Sequence, residues 1–184
     1  MRLYYTVAST TDDRQTKAGN SLGGFRSSTM LPNGTFDNLF GEISMLTIQR
    51  GDIPQYIGLI LRNETGAEVT DIEMWFDFPE NLYSNVKVSA VALNANGYME
   101  CLPNINSRPL MADFVEANGE ANAVGLGALP IDGAIGLWFE RTLNLEDIKR
   151  IQSDIYEVDP SDSRRFLPVE LAKFEDIKIN IRWP

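Results

Sequence analysis

The sequence predicts an antiparallel β-sandwich. Apolar and polar residues alternate with a period of two at several places, and Gly, Asn, Asp and Pro separate these stretches at short spacing. Of the 184 residues, 43% are hydrophobic and 23% are charged, which is typical of a folded domain with its own core. We therefore expect a mainly β fold of about eight strands, with one helix late in the chain, in a single domain spanning residues 1–184.

The first element is a strand, and a long polar interval follows it. Leu3 to Val7 is a run of β-branched and aromatic residues, which favours a strand. Residues 9–35 are dense in Ser, Thr, Gly, Asn and Asp, so we expect a long arm or loop there. Because long polar segments often order on a partner, we expect this arm to be mobile in the monomer and to order on a neighbouring subunit.

The middle of the chain predicts five more strands. Alternation indicates strands at residues 43–49, 72–78 and 86–92, and a mostly apolar run indicates another at Gln55–Arg62. The turn residues Asn94 to Gly97 predict a hairpin that leads into a strand at Tyr98–Leu102.

The last third predicts a strand, the helix and a final strand. Residues 103–123 are typical of a looser connection, and Ala134–Thr142 of a strand with Leu137 and Trp138 on opposite faces. Asn144 is a candidate N-cap for a helix with an apolar stripe, inside an insertion at residues 144–175. The final strand shows the clearest alternation, carried by Ile177, Ile179, Ile181 and Trp183. The layout indicates an immunoglobulin-like antiparallel β-sandwich whose helix is inserted before the last strand.

The composition excludes most familiar catalytic and metal sites. The chain has no histidine, so it cannot carry a histidine-dependent triad, a histidine base or a histidine metal ligand. Its one cysteine, Cys101, allows no internal disulfide and is expected to be a buried apolar residue. Acidic pairs and glycine-rich stretches match no glycosidase, calcium or phosphate-loop spacing. We therefore expect no enzymatic activity, no metal and no cofactor.

The acidic excess is concentrated in one segment. The chain carries a net charge of −10, and residues 63–147 hold fourteen acidic but only three basic side chains. Such a surface repels phosphate backbones, so we expect no direct contact with nucleic acid. It serves solubility, or it faces a more basic neighbour.

Several short motifs, taken in order, resemble a known group of proteins. They are Gly23-Gly24, Asn38-Leu39-Phe40, Gly51-Asp52 leading to Tyr56 and a strand that ends at Arg62-Asn63, and Trp138 in a late strand. This order resembles small immunoglobulin-like virion proteins of tailed bacteriophages, crAss-like phages among them. The likeness covers residues 20–142 and the final strand, and residues 144–175 depart from it.

The resemblance implies a structural protein of the neck, connector or tail. Such a protein packs as a ring of copies and contacts other virion proteins, namely portal, neck or tail components, without a cofactor. It would be found in the virion, and in the host cytoplasm during assembly. No signal peptide or membrane span is expected.

Inter-subunit contacts are expected at three places: the arm, a turn between two strands, and the insertion. The candidate residues are Asp12, Asp13, Arg14 and Arg26 in the arm, Arg50, Asp52 and Pro54 at the turn, and Asp159, Arg164 and Arg165 in the insertion. The alternative is a carbohydrate-binding or capsid-decorating β-sandwich module, in which Trp and Tyr side chains would form an exposed platform.

Overall fold

The computed structural model describes residues 1–9, 14–15, 17–32, 35–36, 40, 53–77, 85–143 and 177–184. Within these ranges the protein is mainly β, and its only helical elements are two three-residue 3₁₀ turns, Ala18–Asn20 and Glu120–Asn122. No helix in the described ranges is long and apolar enough to cross a membrane. The predicted helix and the predicted strand at 43–49 lie outside the described residues.

The described strands form two antiparallel sheets. The strands are β1 (Arg2–Val7), β2 (Phe25–Met30), β3 (Thr35–Phe36), β4 (Ile53–Arg62), β5 (Val69–Asp77), β6 (Asn85–Val91), β7 (Val115–Glu116), β8 (Val124–Leu129), β9 (Ala134–Leu143) and β10 (Ile177–Arg182). One sheet has the order β2-β1-β4-β9-β6-β7 and the other the order β3-β10-β5-β8. Five of the predicted strands lie at or within a few residues of β1, β4, β6, β9 and β10, and a sixth, at 72–78, lies on β5.

The two sheets pack face to face over one main core, an arrangement consistent with a β-sandwich. Ile57 and Leu59 of β4 and Phe139 of β9 meet Met74 and Phe76 of β5 in this core. The rings of Phe76 and Phe139 are 5.7 Å apart across the two sheets. Alternation of apolar residues along the strands therefore fills the space between the sheets, as the sequence predicts.

The outer face of the six-stranded sheet is also covered. Tyr56, Ile60 and Trp138 point away from the main core and form a second cluster with Met99 and Leu102. Both faces of β4 are therefore buried, which explains why its sequence is an almost continuous apolar run rather than an alternating one. Trp138 lies on the face opposite Leu137, as predicted.

One segment joins the two sheets at their edge. Val115 and Glu116 pair with β6 in the six-stranded sheet. Directly after these residues, the same segment bonds β5 of the other sheet. The Phe76 N–H donates to the Ala117 carbonyl at 2.8 Å, and the Gly119 N–H donates to the Phe76 carbonyl at 2.9 Å. Because the same short segment bonds both sheets, it fixes their separation at this edge.

The prediction of an arm or loop at residues 9–35 is wrong in its second half. Residues 25–30 form β2, which pairs antiparallel with β1, for example Tyr4 with Met30. A run of Ser and Thr gives no apolar signal, but it forms an edge strand because ladder hydrogen bonds need only backbone groups.

Two further predictions differ from the structure. The turn at Asn94–Gly97 exists, but Tyr98–Leu102 is no strand. Tyr98 makes only a single antiparallel bridge, with Phe25 of β2, and the Leu102 N–H bonds to the Leu22 carbonyl in the loop before β2. The sequence predicts no strand at β8, because Gly125 and Gly127 interrupt its apolar pattern. Its ladder with β5 shows register shifts, as is common where glycine marks a bulge.

Candidate functional site

A loop at residues 103–114 lies over the second cluster and is bonded to the start of β4. The Tyr56 N–H donates to the Ile105 carbonyl at 2.7 Å, and the Asn106 side-chain amide donates to the Pro54 carbonyl at 3.0 Å. The rings of Phe114 and Tyr56 are 5.5 Å apart. These contacts hold the start of the loop along β4, where Ile105 packs against the main core, and hold its end against the second cluster.

The part of the loop around residues 110–113 is also held. The Leu110 N–H donates to the Glu100 carboxylate at 2.8 Å, and the Asp113 N–H donates to the Ser89 hydroxyl at 2.9 Å. Pro109 is buried, and proline fixes its own φ. The backbone on either side of residues 110–111 is therefore positioned by the body of the protein.

This loop presents two adjacent apolar side chains to solvent. Leu110 and Met111 are each 86% exposed, more than any other large apolar residue in the described part of the chain. We call this pair the tip. A single exposed apolar residue is ordinary, but two neighbours on a held backbone form a preorganised contact point, and methionine is enriched at interfaces.

A second feature is a groove of about 620 Å³ that is lined by residues of both sheets. It lies between the start of β1, the end of β2 and the strand β10. Its walls are Leu3, Leu31, Ile179 and Ile181, and its rim carries Met30 and Trp183, which are 42% and 37% exposed. Arg2, Lys178 and Asn180 also line it, so polar and apolar groups share its surface.

The loop at residues 21–24 is part of the buried framework. The Thr6 hydroxyl donates to the Gly58 carbonyl at 2.9 Å and accepts from the Gly23 N–H at 3.0 Å. The Gly58 N–H donates to the Ser21 carbonyl at 2.7 Å. This part of the predicted arm is therefore bonded to its own chain.

Three of the predicted contact residues fall within the described residues. Arg14 is exposed and lies next to Gln15, whose N–H donates to Ser27 of β2. Arg26 is exposed, with its guanidinium 4.6 Å from the centre of the Tyr4 ring. Pro54 is half-buried under the loop at 103–114. Arg14 and Arg26 are thus near one sheet edge, and Pro54 is at the base of the loop that carries the tip.

The other candidates, Asp12, Asp13, Arg50, Asp52, Asp159, Arg164 and Arg165, lie outside the described residues. Sequence reasoning missed Leu110 and Met111, because two apolar residues within a polar connection follow neither a strand nor a helix period. The available signal was an apolar pair directly after a proline in an otherwise polar loop.

Buried polar groups near the base of the loop stabilise the sheet. Arg141 is 1% exposed, donates to the Gln55 side chain, and lies 4.9 Å from the centre of the Phe40 ring. Burial, with a hydrogen bond to the Glu140 carboxylate, raises the pKa of Tyr56 to about 12. Tyr56 therefore stays neutral at physiological pH and cannot serve as a base there.

The position of Cys101 differs from the prediction. Cys101 is exposed, so the prediction of a buried apolar residue is wrong; the Leu102 side chain next to it fills the second cluster instead. Among the described residues, no three Asp, Glu or Cys side chains are close enough together to hold a metal ion.

The aromatic residues considered for a sugar platform are mostly internal. Tyr4, Tyr5, Tyr56 and Trp138 are all buried, at 7% exposure or less. Trp75 is half-buried, with the Arg182 guanidinium 5.4 Å from its ring centre, and Trp183 is at the rim of the groove.

Comparison with known proteins adds no family assignment. No protein-family model, no curated protein and no solved structure matches the chain.

Proposed function

We propose that this chain is a non-enzymatic structural component of a tailed-phage virion. In this proposal it is a ring-forming neck, connector or tail protein with an immunoglobulin-like sandwich, and it acts by packing against its own copies and against portal, neck or tail proteins. The observation that carries the proposal is the tip, because a backbone held on either side of it displays two exposed apolar side chains that a protein partner would cover.

The surroundings of the tip support an interface more than a reaction centre. The groups around the loop base, Tyr56, Glu140 and Arg141, are buried and bond with one another or with the sheet. The acidic bias of residues 63–147 supports a basic protein partner over nucleic acid.

The alternative is a carbohydrate-binding or capsid-decorating module. A sugar platform needs aromatic faces open to solvent. Among the described tryptophans only Trp183 and Trp75 retain partial exposure, and Arg182 lies over Trp75. We therefore rank the packing role first.

The test is the mass of the protein in solution, measured by light scattering across a concentration series, alone and co-expressed with the products of adjacent genes. A closed oligomer, or recruitment into a larger complex with those neighbours, is the expected result. A monomer that joins none of them would contradict the proposal, and a glycan-array screen would then test the alternative.

A further inference from the structure

We propose that Met111 of the tip is a reversible oxidation site, and that conversion of its thioether to the sulfoxide weakens the contact that the tip makes. The oxidant is a hydroperoxide, for which hydrogen peroxide is the probe. This inference rests on the proposed function, since it adds a chemical control to the apolar pair that a protein partner would cover.

Met111 is the most accessible methionine in the described part of the chain. It is 86% exposed, whereas Met30 is 42% exposed and Met74 and Met99 are at most 1% exposed. Met1 is partly buried against the main core. Because peroxide must reach the sulfur atom in order to oxidise it, accessibility ranks Met111 first.

The sulfur of Met30 has a contact that would slow its oxidation. The Arg2 guanidinium donates to the Met30 Sδ at 3.0 Å. A sulfur whose lone pair accepts a hydrogen bond from a cation is a weaker nucleophile toward peroxide. Within the described ranges no group donates to the Met111 sulfur. Chemistry therefore ranks the two exposed methionines in the same order as accessibility.

The fold keeps the Met111 side chain at the surface. The Leu110 N–H is bonded to the Glu100 carboxylate, and the Asp113 N–H to the Ser89 hydroxyl. Because the backbone on both sides of Met111 is bonded to the body of the protein, peroxide reaches the sulfur without any opening of the loop.

The reaction balances with peroxide as the only co-reactant. A lone pair of the thioether sulfur attacks one peroxide oxygen, and the O–O bond breaks as the S–O bond forms. Proton transfer releases the other oxygen as water, so the sulfur is oxidised by two electrons and the peroxide is reduced by two. Sulfoxide reductases, with a thiol as reductant, reverse the change.

The field around the tip does not exclude this oxidant. Residues 100–116 carry three acidic side chains and one basic one. Hydrogen peroxide is uncharged, so the acidic excess does not repel it, as it would repel an anionic oxidant.

Oxidation makes one of the two tip side chains polar. The sulfoxide oxygen is a strong hydrogen-bond acceptor, and covering it with an apolar surface removes the water that it bonds in the free protein. Leu110 has no group that peroxide oxidises, so the chemistry acts on Met111 alone. The association of the oxidised protein should be at least about tenfold weaker.

The first experiment determines where oxygen is added. The full chain carries Cys101→Ser, because the exposed Cys101 thiol also reacts with peroxide. This parent protein is treated with increasing hydrogen peroxide at low protein concentration, and its peptides are mapped by mass spectrometry. The peptide that contains Met111 should gain one oxygen before those that contain Met30, Met74 or Met99. Oxidation of Met111 no faster than that of any of these three would overturn the site.

The second experiment measures association before and after oxidation. Light scattering across a concentration series is used, with the products of adjacent genes present where association requires them. Peroxide should weaken association at least about tenfold, and treatment with sulfoxide reductases for both sulfoxide epimers should restore it. In the assembled protein the tip is covered, so oxidation of Met111 should be slower there than in the free protein.

Three variants of the parent show whether Met111 carries the effect. Met111→Leu keeps an apolar side chain without sulfur, so peroxide should not change its association, whatever the starting strength. Met111→Gln is polar without oxidation and should associate weakly before any peroxide is added, while its circular dichroism stays that of the parent. Met30→Leu is the matched control at the other exposed methionine, and it should respond to peroxide as the parent does.

The outcomes separate this inference from the proposed function. If Met111 is oxidised first but an existing oligomer or complex is unaffected, control by oxidation is overturned, and the ring proposal stands through another contact. If Met111→Leu responds to peroxide as strongly as the parent, another residue carries the effect and the inference is wrong. A protein that is monomeric alone and with every neighbour would contradict both the proposed function and the effect on association.

Discussion

At the scale of single residues, two glycines allow Trp138 to pack under the loop at 21–24. A Cβ on Gly58 would lie 2.9 Å from the Trp138 ring, closer than such atoms approach in proteins. A Cβ on Gly23 would overlap the Glu100 carbonyl oxygen and lie 2.9 Å from the same ring, and Gly23 also has a φ of +86°. Gly23 therefore has a packing role in this fold.

Gly23→Ala should destabilise the protein much more than Gly66→Ala. Gly66 has nearly the same φ, +83°, but nothing lies within 4 Å of a Cβ placed there. The free energy of unfolding of the control, Gly66→Ala, should fall by about 1–2 kcal/mol, because alanine there must adopt a left-handed backbone. The free energy of unfolding of Gly23→Ala should fall by about 1–3 kcal/mol more, because the new Cβ overpacks the site. Urea unfolding of both variants measures the difference, and equal losses would show that the contact with Trp138 and Glu100 is unimportant.

The Tyr56 hydroxyl should ionise last among the described tyrosines. Its pKa is raised from 10 to about 12 by burial and by the hydrogen bond to Glu140. Because the folded pKa lies above the unfolded one, the stabilisation is complete below pH 10 and is lost as pH rises from about 10 to 12. A tyrosinate absorbance titration of the wild type, minus that of Tyr56→Phe, should give a single step near pH 12; a step near pH 10 would contradict this.

At the scale of elements, β10 shows how one strand separates stabilising from exposed positions. Ile177 is 1% exposed and belongs to the main core, whereas the adjacent Lys178 is exposed and pairs only at long distance with Asp77 of β5. The two faces of this alternating strand therefore contribute unequally to the free energy of unfolding.

Ile177→Ala should cost about 2–5 kcal/mol of unfolding free energy, because it leaves a cavity in the core. Lys178→Ala, one residue away on the same strand, should cost less than about 1 kcal/mol, because exposed ion pairs contribute little. Thermal and urea unfolding of the two variants provide the comparison. A larger loss for Lys178→Ala would mean that the exposed ladder between β10 and β5, rather than the core, holds this strand.

Elements with an apolar pattern could be predicted from the sequence, and the others could not. Strands β5, β6, β9 and β10 show apolar residues at every second position, and β4 is an almost continuous apolar run, so the apolar pattern predicts all five. Strand β2 is a Ser and Thr edge strand and β8 contains two glycines, so both are stabilised by backbone pairing that composition does not reveal. The tip is a local exception to the rule that apolar residues are buried, and periodicity carries no information about such exceptions.

At the scale of the whole molecule, the order of the strands depends on contacts between distant parts of the chain. Strand β1 pairs with β4, more than fifty residues later, and β10 pairs with β5, about a hundred residues earlier. Short-range sequence patterns predict each strand but not the strand that it pairs with. Which strands belong to which sheet is therefore known from the structure alone. The groove is a product of this order, since it is formed where β1 and β2 of one sheet face β10 of the other.

The same connections predict that the described sandwich unfolds in one cooperative step. Strand β4 gives Ile57 and Leu59 to the main core and Tyr56 and Ile60 to the second cluster, and residues 115–119 bond both sheets. If either cluster opens, one face of β4 becomes exposed, and the other cluster loses the strand on which it packs. In a Trp75→Phe, Trp183→Phe variant, Trp138 is the only tryptophan, and its fluorescence reports the second cluster while far-ultraviolet circular dichroism reports both sheets. The two urea transitions should coincide in midpoint and slope; an earlier fluorescence transition would mean that the loops over the outer face, with the tip, open before the sheets separate.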